Sequence, residues 1–201
     1  MSEPGVEVFA RQRGQATVEL ALSSIVLLLL VTGLLDLSRV FYFDVSLQSA
    51  TREAARHAAW YDTASRKNIY LDDSEIVGSV NTSLGGSGLS VTGNSGSGMD
   101  ECLAGAADNN PPYANFGGAA PNPYPASTSL NQPVLFICYT KPDGTQLTTL
   151  ASAPTDNSWR LGDINVILLM NYGLITFFLQ SQIGNGFHVA ANSHFMIQGR
   201  P

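Results

Sequence analysis

Few residues in this chain have the type and spacing to do chemistry, and the most telling is a lone acid. Glu19 is the only ionisable side chain between Gln15 and Leu35, in a run otherwise made of Leu, Val, Ile, Ala and Gly with a few hydroxyl residues. A carboxylate at mid-membrane costs roughly 2.5 to 3.5 kcal/mol, and less near an end of the span. Glu19 therefore either sits close enough to the interface to snorkel or take up a proton, or it needs a cationic partner. Cutting the chain after Gly14 would supply one. The new α-amine of Gln15, with an ordinary pKa of about 7.7 to 8.0, would lie about one helical turn from Glu19.

The other candidates point away from catalysis. His57, His188 and His194 are scattered, with no H-E-x-x-H spacing. His188 and His194 stand six apart in a stretch that reads as a strand, so they share a face, yet a metal site needs a third ligand. Asp72, Asp73 and Glu75 lack the spaced oxygens and glycine of a calcium loop and read as a helix N-terminus. Gly85-Gly86-Ser87-Gly88 is not followed by Gly-Lys-Ser/Thr, so it is a linker and not a phosphate loop. No nucleophile elbow surrounds Ser158. The expectation is no catalytic site, no metal and no cofactor. Cys102 and Cys138 both follow the apolar run and could form a disulfide in an oxidising compartment; two reduced core thiols are the alternative. A polar Gly/Asn-rich setting for Cys102 favours the bridge, which would restrict the unfolded chain by roughly 4 kcal/mol in the entropic picture.

The element that must hold Glu19 is a helix. About twenty mostly apolar residues cross a hydrocarbon core, and 16–36 meets that length. No small-residue cleavage site follows Leu35, so the run reads as a retained span and not as a signal peptide. Beyond it, Phe43, Leu47, Ala50, Ala54, Ala58 and Tyr61 recur at helical steps of three and four. No proline interrupts the chain from Gln15 to Ala64, so one helix over 15–64 is expected. Its second half packs either on its own domain or, through the small residues at 50, 54 and 58, against another helix.

Arg13-Gly14-Gln15-Ala16-Thr17-Val18-Glu19-Leu20 resembles the processing site of type IV pilin-like proteins. The closer resemblance is to the TadE-like minor pseudopilins of Flp/Tad pilus systems. It is carried by Gly14 to Glu19, by the D-x-x-R of Asp36 to Arg39, and by the A-x-R-E-A-A-R of Ala50 to Arg56. It is strong over 11–60 and weaker at Gly186 to Pro201, where Ala190, Ala191 and Met196 are similar to the family's closing strand. The resemblance implies that 1–14 is a cytoplasmic leader, removed between Gly14 and Gln15 by a prepilin peptidase. It further implies that Glu19 pairs with a cationic N-terminus during assembly. The implied partners are that peptidase, other minor and major pilins, the inner-membrane assembly platform and the lipid bilayer. The implied location is the bacterial inner membrane, single pass, with the C-terminal domain extracytoplasmic and possible incorporation into a pilus. Arg11 and Arg13 precede the span but Arg39, Arg52 and Arg56 follow it, so Lys/Arg counting does not fix orientation. That assignment rests on the resemblance and on the cysteines.

The remainder, 65–201, reads as an α+β domain: a small antiparallel sheet with a short helix, pilin-like after its long transmembrane and amphipathic helix. Residues 73–84 form the short helix, with Ile76, Val80 and Leu84 on one face. Leu89 to Thr92 alternates as a strand. The stretch 94–132, rich in Gly, Asn and Pro, is expected to be a mobile insert, with Tyr113, Phe116 and Tyr124 as candidates for an adhesive surface. Pro133 to Tyr139 is a strand with Val134, Phe136 and Cys138 on one face and Leu135, Ile137 and Tyr139 on the other. Lys141-Pro142-Asp143-Gly144 is a turn, with Gln146 to Leu150 as the returning hairpin strand. Leu161 to Tyr172 and Phe187 to Ile197 are two further strands, with a helical turn near Ile175 to Leu179. Reading Ile164 to Leu179 as a second span is disfavoured by its length and its polar residues.

Composition narrows function further. The 201 residues carry a formal charge of −6, only 13% charged residues, 19 glycines and 10 prolines. The basic stripe of a nucleic-acid binder is absent. Two functions stay open: a minor pseudopilin that primes, caps or modulates a Tad-type pilus, or an uncleaved single-pass anchor bearing an extracytoplasmic binding or sensor module.

Overall fold

A long apolar helix, a short amphipathic helix and antiparallel strands make up an α+β architecture, as expected. The computed structural model describes residues 6–92, 124, 129–147, 153–176 and 187–201, with side chains from residue 14 onward. Helix α1 runs from Val6 to Ala58. It begins inside the stretch expected as a leader and ends six residues before the expected limit at 64. Pro4 precedes it and no proline lies within it, so its backbone ladder need not break. Arg56 and His57 occupy its last turn, where cations complement the helix dipole. The chain then leaves the helical path, and the carbonyl of Ala59 accepts the N–H of Gln198 at 2.8 Å. The C-terminal tail thus satisfies a carbonyl that a longer helix would have bonded within itself.

A two-stranded ladder follows, β1 (Tyr61–Asp62) with β2 (Lys67–Asn68). Helix α2 spans Asp73–Leu84. Asp72 caps it by accepting the N–H of Ser74, and Asp73 and Glu75 fill its first turn, so this acidic cluster serves a helix end. Gly88, at φ 74, turns the chain away after the short 3-10 segment Gly85–Ser87, a conformation that costs glycine little.

The main sheet has the order β3-β4-β5, all antiparallel. Strand β3 is Val134–Thr140, β4 is Asp163–Tyr172 and β5 is Phe187–Met196. Leu135, Ile137, Tyr139, Ile164, Val166, Leu168, Met170 and Tyr172 pack with Leu47, Ala50, Ala54 and Ala58 of α1 and with Ile76, Val80 and Leu84 of α2. Phe136, Cys138, Ile167 and Leu169 form a second cluster on the opposite face with Tyr124. The two-face reading of 133–139 matches this period of two. The stripe at 43–58 is spent on the protein's own sheet and second helix.

One detail differs from the sequence reading. Leu89 to Thr92 is not a strand. Asn81 bonds both backbone groups of Val91 through its amide, at 2.7 and 2.9 Å, so a side chain stands in for a strand partner. Of the returning strand expected at Gln146 to Leu150, the described part pairs antiparallel with β3, through the bridge from Gln146 to Thr140 and the N–H of Leu147 on Tyr139 O at 3.0 Å; residues 148–150 lie outside the described residues, and the ladder partner of β3 is β4. The loop itself is as expected: Gly144 donates to Lys141 O at 2.9 Å with φ 86. The strand expected over Leu161 to Tyr172 is the central one, buried on both sides, which explains an apolar run without a membrane. Of the helical turn expected at 175–179, residues 177–179 lie outside the described residues, as does most of the insert at 94–132. Tyr124, offered as an adhesive residue, is buried against the ring of His188, with centroids 4.3 Å apart.

Candidate functional site

The residues that sequence singles out first lie on a bare stretch of α1. Every side chain from Gly14 to Val31 is exposed, including Leu20, Leu22, Ile25 and Leu28. The 18-residue window of greatest apolarity has mean hydropathy 2.4 and no burial within the protein. Among the described residues this is the one helix long and apolar enough to cross a membrane. Three hydroxyls in and just past the apolar run bond back to the helix backbone. Ser24 donates to Ala21 O at 2.8 Å, Thr32 to Leu28 O at 3.0 Å, and Ser38 to Leu34 O at 2.8 Å. Such back-bonding makes a hydroxyl tolerable in an apolar medium.

Within that stretch Gln15 and Glu19 lie four residues apart, on the same side of the helix and about 6 Å along its axis. A side chain added at Gly14 would meet nothing within 4 Å. Packing therefore gives no reason for a glycine there, although glycine costs a helix interior about 1 kcal/mol relative to alanine.

Where the bare stretch ends, the structure assembles a site that the sequence reading quoted as a motif without giving it a role. Asp36 immediately follows Leu35 and is almost wholly buried. Its carboxylate accepts the N–H of Ile175 at 2.9 Å, the N–H of Thr176 at 3.1 Å and the hydroxyl of Tyr172 at 3.3 Å. One turn on, the Arg39 guanidinium lies over the rings of Phe43 and Tyr172, at 5.7 and 6.0 Å. This one cluster joins the helix to the end of β4. The available signal was an acid at the first position after an apolar run, where only a fixed partner makes burial tolerable.

At the far end of α1 the C-terminal tail is fastened by amides. Asn68 donates to Asn157 Oδ1 and to Arg200 O, both at 2.7 Å, and accepts the N–H of Arg200 at 2.7 Å. Tyr70 donates to the same Asn157 oxygen at 3.0 Å. Tyr139 is buried on the sheet and donates to Asp73 Oδ1 at 2.7 Å; burial, then the neighbouring carboxylate, pushes its phenol well above the usual range.

The histidines do not converge. His188 bonds Asn171 Oδ1 at 2.6 Å and His194 bonds Asp163 Oδ2 at 2.7 Å, near opposite ends of β5. Burial lowers the pKa of His188. His57 is exposed on α1. Among the described residues no group of three potential ligands could hold a metal ion. A groove of about 520 Å³ lies between α1 and the start of β5, lined by Val40, Phe41, Asp44, Tyr124, His188 and Val189; it brings no nucleophile and base together. Cys138 is buried in the outer-face cluster, and Cys102 lies outside the described residues.

No curated protein and no solved structure gives a significant match to the chain. Residues 14–56 match the family model described as TadE-like protein. The match opens on Gly14 and takes in Glu19, Asp36 and Arg39, so the helical segment that carries the exposed run and the buried joint is TadE-like, consistent with a protein of Tad/Flp pilus systems.

Proposed function

We propose that the chain is a minor pseudopilin that primes, caps or modulates a Tad/Flp-type pilus. The observation that carries this reading is that a TadE-like match opens at Gly14 on a helix whose next seventeen side chains all lie bare. The helix would anchor the precursor in the bacterial inner membrane, with the sheet domain outside the cytoplasm. A prepilin peptidase would cut between Gly14 and Gln15, where glycine has no packing role. The freed amine of Gln15 and the carboxylate of Glu19, on one chain or between neighbours, would then neutralise each other in the apolar filament core, where either alone is heavily penalised. Other minor and major pilins and the assembly platform are the partners of that step. The role is structural and not enzymatic, and it requires no cofactor.

A Cys102–Cys138 disulfide suits this placement.

Intact mass and N-terminal sequencing after co-expression with a prepilin peptidase test the proposal. The expected mature chain begins at Gln15. A terminus still at Met1 would instead support an uncleaved anchor bearing an extracytoplasmic binding or sensor module.

A further inference from the structure

The joint at Asp36 fixes more than the angle of the helix. Because Ile175 and Thr176 bond its carboxylate directly, the exit from β4 is held level with the first residue beyond the bare apolar run. Tyr172 pairs with Phe187 at the start of β5, and His188 and Val189 line one groove with Val40, Phe41 and Asp44. The Tyr172–Phe187 end of the β4–β5 ladder thus sits at the height of residues 36–44. Among the described residues, that end carries exposed apolar side chains: Ile175 is 62% exposed, Phe187 40% and Leu37 52%. Along α1 past Leu37 come Arg39, with its guanidinium lying over aromatic rings, and the half-exposed Tyr42, whose hydroxyl bonds Gly86 O at 2.9 Å. An apolar run that gives way to Arg and Tyr along a helix is the order found at a bilayer interface.

We infer that Ile175 and Phe187, with Leu37, form a foot by which the sheet domain rests in the interfacial layer of the lipid bilayer. The inference rests on the reading of α1 as a membrane span. The occupant is lipid because the foot is continuous with the exposed run of α1, and because Asp36 holds the two at one level. The foot restrains the tilt of the domain while the protein is in the membrane, and lateral exit from the bilayer must pull it free.

Quenching by brominated phosphatidylcholine tests this on the full chain in proteoliposomes. The native Trp60 and Trp159 are built into the opposite end of the domain, about 35 Å along α1 from Asp36, and provide an unquenched background. Leu28→Trp reports the span, while Ile175→Trp and, independently, Phe187→Trp report the foot. The expected result is loss of the added emission for the two foot variants with lipid brominated near the headgroup. For Leu28→Trp the loss comes with lipid brominated deep in the chain. Quenching of Leu28→Trp with neither foot variant quenched would overturn the foot and leave the span standing. Failure of Leu28→Trp to quench would overturn the membrane reading and the foot with it.

Discussion

The carboxylate of Asp36 accepts the backbone N–H of Ile175 across 139 residues of chain, at 2.9 Å. The first residue after the apolar run is thereby bolted to the end of the central strand. Two further donors, Thr176 N–H and Tyr172 OH, converge on the same group, so helix and sheet meet through one acid. Asp36→Ala would strand three donors that are now satisfied by a charge. Hydrogen bonds to charged groups contribute about 1.5 to 3 kcal/mol each, and the three are not additive. The expected loss is about 3 kcal/mol in chemical denaturation of the detergent-solubilised protein, with a smaller loss for Asp36→Asn, which keeps an acceptor. Equal stability of wild type and Asp36→Ala would show that the joint is incidental.

At the other end of the helix, chemistry and stability should separate. Gly14→Ala meets no neighbour and carries better helix propensity, so the precursor should fold and insert as before while retaining its first fourteen residues when co-expressed with the peptidase. Mass spectrometry of the membrane fraction reads both forms.

Glu19→Ala should be cut normally but assemble poorly, because the amine it would neutralise is then left unpaired in an apolar core. Counting pili by electron microscopy is the measurement. Wild-type piliation in that variant would remove charge pairing from the mechanism.

Glycine at 162 serves packing and not flexibility. A Cβ there would fall on the carbonyl oxygen of Thr140 and crowd that of Trp159, and the N–H of Gly162 already bonds Trp159 O at 3.1 Å. Backbone cannot step aside as the tip of a side chain can. Gly162→Ala should therefore cost about 1 to 3 kcal/mol, read as a lowered denaturation midpoint.

His188 gives the fold a mild sensitivity to acid. Burial holds its pKa below the ordinary value, so the folded state favours the neutral ring. Its contribution is fully present above the unfolded pKa of about 6.5 and fades as pH falls through the lower folded value. Melting at pH 7.5 and at pH 5 should differ more for wild type than for His188→Gln, which retains a donor for Asn171 without titrating.

Much of this was legible in one dimension because it depends on period and composition. The bare apolar run follows from residues 16–35, the short helix from Asp72 and the four-residue spacing of Ile76, Val80 and Leu84, and the two faces of β3 from strict alternation. Local chemistry also placed the turn at Gly144. The failures have a common cause. Val91 is held by a side chain ten residues away, and the Ala59 carbonyl, just past the end of α1, accepts from the distant C-terminal tail. None of those partners is marked by the residues they hold.

By itself, then, the sequence determined that a long apolar helix carries a lone acid at Glu19 beside a glycine at 14, and that an α+β domain follows. Those properties lie in runs of neighbouring residues, where backbone geometry alone sets what faces what. Only the tertiary structure decided that the 43–58 stripe is consumed by the protein's own sheet, that Tyr124 is buried, and that Asp36 is the joint. Each depends on groups far apart in the chain, and the choice between a solvated and a buried side chain is made only when the fold brings them together.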